Sequence, residues 1–236
     1  MTVAAVILAA SAEGALADAL GQPRVRRIVD LAWAGGALPV VVVSPDPDGS
    51  VARAIAETEA SWHPPATIDG GPIGQMVHGC EVAAGEVRDT TAALVWPARM
   101  IWVGAETVTS LIEAHGTDPG STLRPAWDGR PGWPVLVPLE RLEQLRLVSP
   151  ALDPDEAIDA FAGSVPSRTI ELGDPGTVYD ADTPEADLPA YEGPTVPAGG
   201  HVHEWGDDVA AIADAPGEGR GLAPYPQAAP GGPADA

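Results

Sequence analysis

Apolar residues along this chain come in two rhythms, short unbroken runs and stripes at helical spacing, and the two alternate. Residues 3–8 (VAAVIL) and 38–43 (LPVVVV) are continuous runs of strand length, the pattern of strands covered on both faces. Between them Val25, Ile28, Val29 and Ala32 fall on one face of a helix over residues 24–34, so the three segments predict a βαβ unit. Ser50 is placed to cap a helix running to about residue 59, and Gly71-Pro72 opens another toward residue 84, proline being suited to a first turn. Residues 92–96 predict a third strand, and 104–115 a helix with Val108, Leu111 and Ile112 inward. Further strands are predicted at 134–137, 169–172 and 177–179, with helices at 138–147 and 154–162. This alternation predicts a three-layer, Rossmann-like α/β domain with a mostly parallel sheet. Ligands of such sheets bind beyond the carboxyl ends of the strands. A site is therefore expected among the loops 9–22, 97–102, 128–133 and 180–185.

Near Tyr191 the pattern fades into recurring Pro and Gly, ending in GEGRGLAPYPQAAPGGPADA. The chain has 236 residues, 45% of them hydrophobic, enough for one domain with a core and too few for two full domains. Residues 1–188 are expected to form that domain and 189–236 an acidic tail, disordered because it offers too little apolar surface to offset the entropy of ordering.

Charge narrows the partners. There are 34 acidic and 12 basic residues, a formal net charge of -22, and every basic residue is Arg. Such a chain repels phosphate backbones and anionic lipid heads, so neither nucleic acid nor a membrane surface is an expected partner. No apolar run approaches the ~20 residues of a membrane span. A single cysteine, Cys80, permits no internal disulfide and there is no zinc-type spacing, which fits a reducing cytoplasm. The apolar start is followed by Glu13 and lacks a basic n-region, so no secretory signal is expected.

Six segments in order carry a likeness: VAAVILAA, GQPRVRRIVDLAWAGGALPVVVV, GGPIGQMVHG, VGAETVTSLIEAH, DGRPGWPVLV and VYDADTPEAD. Together they resemble the molybdenum cofactor guanylyl- and cytidylyltransferase family of the nucleotidyltransferase superfamily, over roughly residues 3–188. The resemblance implies a nucleoside triphosphate held by the loop after the first strand, Mg²⁺ as cofactor if the chain is active, and a nucleotide, the molybdenum cofactor or a protein as partner. On this basis Ser11, Gly14, Arg24, Gly71 and Arg99 are candidate nucleotide-binding residues, and Asp180 and Asp182 candidate metal ligands.

The sequence also departs from that family. Its first loop, SAEGALADALG, has glycines but no Arg or Lys, and contains Glu13 and Asp18; two carboxylates facing a polyphosphate would repel it. Where the family has a metal-binding Asp after the third strand, alignment places Arg99, which cannot ligate Mg²⁺ but can hold a phosphate or an internal carboxylate. Trp133 stands where the family commonly has His. Asp180 and Asp182, two apart on an extended segment, point the same way; the alternative is a helix cap by Asp182 or Thr183. Cys80 reads as a small core residue. His201 and His203 have ligand-type spacing in a segment with no rigid site to hold them. Trp96, Trp102, Trp127 and Trp133 near the expected ligand edge form a stacking surface or fill a vacated cleft. Two functions compete: a catalytically degenerate pseudoenzyme acting as a binding or assembly partner, and an active Mg²⁺-dependent transferase joining GMP or CMP to the molybdenum cofactor.

Overall fold

The computed structural model describes residues 2–66 and 70–194; the expected tail beyond Pro194, with His201 and His203, lies outside the described residues. The first strand, β1 (Thr2–Leu8), is buried from Val3 to Ile7 because it runs between two parallel neighbours. A five-residue helix, α1 (Ala12–Leu16), follows, then a two-stranded hairpin of β2 (Asp18–Ala19) and β3 (Gln22–Pro23). Next come α2 (Arg24–Ala34), β4 (Val40–Val43), α3 (Ser50–Ala54), β5 (Ala60–His63), α4 (Gly71–Glu86) and β6 (Thr90–Pro97). The second half holds α5 (Ala105–Thr117), β7 (Thr122–Trp127), β8 (Arg130–Pro131), β9 (Val135–Pro138), α6 (Leu142–Arg146), α7 (Pro154–Ala162) and β10 (Ser167–Glu171).

The sheet order is β10-β7-β9-β6-β1-β4-β5, with β8 hairpinned onto β7. β1 pairs in parallel with β4 and β6, β4 with β5 and β10 with β7, while β9 runs antiparallel to both β6 and β7. This is the expected three-layer α/β fold with a mostly parallel sheet. α4 packs across β1, β4 and β6 with α6 and α7 beside it, and α2 packs with α5. Gly79 lets α4 sit this close, since a Cβ there would stand 2.2 Å from Val6 Cγ1. Val25, Ile28, Val29 and Ala32 are the buried face of α2, as the spacing implies. Cys80 is fully buried in α4, and burial pushes its thiol up to about 12. Among the described residues no helix is long and apolar enough to cross a membrane.

Several expected elements are corrected. Ser50 is not a cap: Gly49, at φ 74°, holds that place, and the Asp46 carboxylate accepts the N–H groups of Val51 and Ala52. The helix ends at Ala54 instead of near residue 59, and the chain then enters β5. Residues 177–179 form no strand, because Asp174 winds Pro175–Thr177 into a 3₁₀ turn by accepting the Gly176 N–H. The helix expected over 138–147 is shared between the end of β9, a 3₁₀ turn at Leu139–Arg141 and α6.

Candidate functional site

β1 and β6 are neighbours in register to their last residues, with Leu8 opposite Pro97, and the Ala98 N–H continues the ladder onto the Leu8 carbonyl at 2.8 Å. The chain leaving β1 and the chain leaving β6 therefore start side by side at the carboxyl edge of the sheet. A cleft of about 540 Å³ opens there. Its wall is largely apolar, from Leu8, Val43, Met76 and a series of prolines including Pro97 and Pro154, and its polar lining is Ser11, Arg24, Gln75 and Arg99. All five residues singled out for nucleotide contact, Ser11, Gly14, Arg24, Gly71 and Arg99, line this one cleft. Gly71 must be glycine, with φ at +61° and the Pro150 carbonyl oxygen 2.1 Å from where a Cβ would lie.

The first loop is built differently from the sequence expectation. Ser11 caps α1, its hydroxyl oxygen accepting the Gly14 N–H at 3.0 Å. Asp18 and Ala19 pair back on Gln22 and Pro23 through a tight turn at Leu20 and Gly21, both at positive φ. Glu13 and Asp18 are exposed and neither lines the cleft. The expected repulsion by these two carboxylates at the cleft wall therefore has no structural basis. Arg24 follows the hairpin as the first residue of α2, its N–H held by the Ala17 carbonyl at 2.9 Å. Its Nε is buried without a hydrogen-bond partner among the described residues.

Arg99 lies just past β6, in a turn fixed by the Met100 N–H on the Pro97 carbonyl and by the Trp96 Nε1–H on the Met100 carbonyl. Its Nη2 donates to Asp155 Oδ2 at 2.7 Å and its Nη1 stands 3.9 Å from Asp180 Oδ2. Asp155, near the start of α7, also accepts the Trp133 Nε1–H at 2.6 Å. The helix is pinned there by a capping box in which Asp153 accepts the Glu156 N–H. Asp180 is tied to the same turn by backbone: the Ala181 N–H donates to the Arg99 carbonyl and the Trp102 Nε1–H to the Asp180 carbonyl. Arg99 and Asp180 thus share one edge of the sheet.

Asp180 and Asp182 do not stand on an extended segment. The Asp180 side chain accepts the Asp182 N–H at 3.1 Å and its carbonyl accepts the Thr183 N–H, which makes a turn. Only a 3₁₀ turn at Glu185–Asp187 follows, with Pro184 at its cap position and no side-chain cap from Asp182 or Thr183. Among the described residues no three His, Cys, Asp or Glu side chains converge as metal ligands. The donor set at this turn, the Asp155 and Asp180 carboxylates with the Arg99 guanidinium between them, does not fit Mg²⁺, which needs several oxygen ligands in octahedral array and no cation among them. Trp96 and Trp133 are buried, Trp102 and Trp127 half-buried, so the first two are packing rather than an open stacking surface. Gln75, Pro154 and Asp155 carry no signal in the sequence. Their contacts with the site bridge dozens of residues, and no local spacing points to them.

A second, larger hollow of about 1010 Å³ lies under residues 189–194, against Trp127, Asp128 and Glu171. Its lining among the described residues carries carboxylates and no cation, and the Glu171 carboxylate is already taken by the N–H groups of Asp128 and Gly129. The arginines lie instead in the lining of the smaller cleft.

Comparison with known proteins agrees with the fold. Residues 11–161 match the model of the MobA-like NTP transferase domain. Among solved structures, the Rv0371c manganese complex from Mycobacterium tuberculosis H37Rv is similar at 14% identity and TM-score 0.56, over 73% of this chain and 89% of that one. A nucleotidyl transferase from Methanothermobacter is similar at 15% identity and TM-score 0.57, over 72% of this chain and 87% of that one. CMP:2-keto-3-deoxy-manno-octonic acid synthetase complexed with CTP is similar at 14% identity and TM-score 0.54, over 73% and 90%. No curated protein matches the chain.

Proposed function

This chain belongs to the MobA-like NTP transferase domain family, and we propose from that premise that it is a catalytically degenerate member whose cleft serves binding rather than nucleotidyl transfer. The observation that carries the reading is Arg99. At the carboxyl end of β6 it puts a positive charge between Asp155 and Asp180, where transfer needs a cation held by carboxylates and bridging phosphate oxygens. Asp155 and Asp180 face a guanidinium instead of being free to hold one. The first loop adds no basic side chain to replace the metal's charge. The cleft itself is open and of a size that takes a nucleotide, so room for a ligand is retained while the transition-state charge has nothing to stabilise it. The ligand class is a nucleotide or the molybdenum cofactor, in a binding or assembly role linked to molybdenum enzymes.

Titration of the full chain with GTP, CTP and ATP in the presence of Mg²⁺, read by calorimetry and by product analysis, tests this. The expected result is no transfer and no triphosphate binding tighter than the millimolar range. Micromolar Mg²⁺-dependent binding with nucleotide transfer would replace it by the second reading, an active transferase joining GMP or CMP to the molybdenum cofactor. That reading has one observation in its favour, the absence of Glu13 and Asp18 from the cleft wall.

A further inference from the structure

The charge of the cleft is opposite to that of the molecule. Acidic residues outnumber basic ones 34 to 12, yet the charged side chains lining the cleft among the described residues are two arginines, Arg24 and Arg99, and no carboxylate. The uncharged polar lining points the same way. Ser11 commits its hydroxyl oxygen to the Gly14 N–H, and Gln75 commits Oε1 to the Ala66 N–H at 2.9 Å. Each side chain still presents donors, the Ser11 hydroxyl proton and the Gln75 amide N–H groups. Arg24 makes no ion pair among the described residues, and its Nε is buried without an acceptor, a costly arrangement unless a ligand supplies one. The rest of the wall is apolar.

We propose that this cleft is a metal-independent site for a nucleoside monophosphate. Its phosphomonoester dianion lies between Arg24 and Arg99 and its base and sugar against the apolar wall formed by Leu8, Val43 and Met76. The inference rests on the reading above, that the cleft binds and does not transfer, and it names the ligand. Charge decides between phosphates. A phosphomonoester carries only about -1.5 to -2 at neutral pH, a charge small enough to be met without a metal by Arg24, which has no ion pair among the described residues, and by Arg99, whose charge is shared with Asp155 and Asp180. A triphosphate carries more than they balance, and a Mg²⁺ brought with it would be repelled by Arg99. Arg99 reaches the phosphate by sharing its guanidinium with Asp155, whose exposed carboxylate holds it weakly, and with Asp180, which stands 3.9 Å from it.

The test is calorimetry on the full chain with GMP, CMP, AMP and inorganic phosphate, each in EDTA and again with Mg²⁺, on the wild type, Arg24→Gln and Arg99→Gln. At least one monophosphate is expected to bind with Kd below about 1 mM, equally well in EDTA. Inorganic phosphate, which lacks the apolar body, should bind more weakly. Binding should weaken below pH ~6, where the dianion takes up a proton. Each variant should lose about tenfold or more, the worth of a charge-assisted contact. The melting temperature of Arg24→Gln should stay at the wild-type value, because that guanidinium makes no hydrogen bond or ion pair among the described residues; this separates lost binding from lost folding. No binding of any monophosphate at millimolar concentration, binding that requires Mg²⁺, or binding unchanged in Arg24→Gln overturns the inference. Failure with no transfer activity overturns this inference alone, whereas Mg²⁺-dependent transfer from a triphosphate overturns the reading beneath it.

Discussion

Arg99 discloses its place in the fold through its place in the chain, but not the partner it meets there. Standing just past an apolar run that ends near Trp96, it belongs at the carboxyl edge of the sheet on the pattern alone. Its partner Asp155, 56 positions away, is out of reach of such a pattern, since nothing local links a turn after β6 to the start of α7. That partner supplies a prediction at the same scale. The Arg99 and Asp155 side chains are 36% and 57% exposed, so solvent screens the pair and it stabilises by less than about 1 kcal/mol. Asp155→Asn keeps an oxygen for the Trp133 Nε1–H while removing the negative charge that competes for Arg99. Denaturant unfolding should show a loss below about 1 kcal/mol, and monophosphate affinity should rise. A loss of several kcal/mol, or weaker binding, would mean that the ion pair is a structural clamp and not a releasable one.

Elements with a single clean rhythm are legible in the sequence. α2 and α7 begin and end where the sequence pattern places them, at Arg24–Ala34 and Pro154–Ala162. The strands β5 and β7 are not legible, because ASWH is only half-buried and TLRPAW carries Arg and Pro through the sheet. Tertiary pairing overrides propensity in both. Residues 177–179 look like a strand and are not one for a related reason: the 3₁₀ turn at Pro175–Thr177 that leads into them is set by a contact from outside the segment. Asp174 Oδ2 accepts the Gly104 N–H at 2.9 Å and the Thr107 hydroxyl at 2.6 Å, capping α5 from a distance, while Oδ1 accepts the Gly176 N–H at 2.8 Å. It thereby orients the segment that delivers Asp180 to Arg99. Burial raises the Asp174 carboxyl above its usual 3.8, more than the hydrogen bonds from Thr107, Gly104 and Gly176 lower it. Between 3.8 and the raised value the folded state binds more protons than the unfolded one, so this group's contribution to stability falls as pH rises through that window. Asp174→Asn turns an amide N–H₂ toward one of these donors and should cost about 1–3 kcal/mol at neutral pH. The gap to the wild type should widen as pH is lowered into the window. A gap that narrows on acidification would show that the hydrogen bonds outweigh burial.

At the scale of the whole molecule, composition misjudges the site. A net charge of -22 and an acidic first loop argue against any anion in the cleft, but folding places Glu13 and Asp18 outside it and both lining cations inside. Net charge is a sum over the surface, whereas a cleft reads only what lines it. The two act at different ranges, which gives a prediction. At ~0.01 M salt the Debye length is ~30 Å, and an approaching dianion is repelled by carboxylates across much of the surface; at ~0.1 M it is ~10 Å, and mainly the local arginines remain. The affinity for a nucleoside monophosphate should therefore rise between these two ionic strengths, and the association rate with it, because steering by net charge acts on encounter. At still higher salt the Arg24 and Arg99 contacts are themselves screened and the affinity should fall, so the titration has a maximum. An ordinary cationic site on a basic protein shows only the fall. Stopped-flow and calorimetric measurements across this range would decide it. A monotonic decrease from the lowest salt would mean that the ligand is drawn by a positive surface field, which the acidic composition does not supply, and would move the binding site away from this cleft.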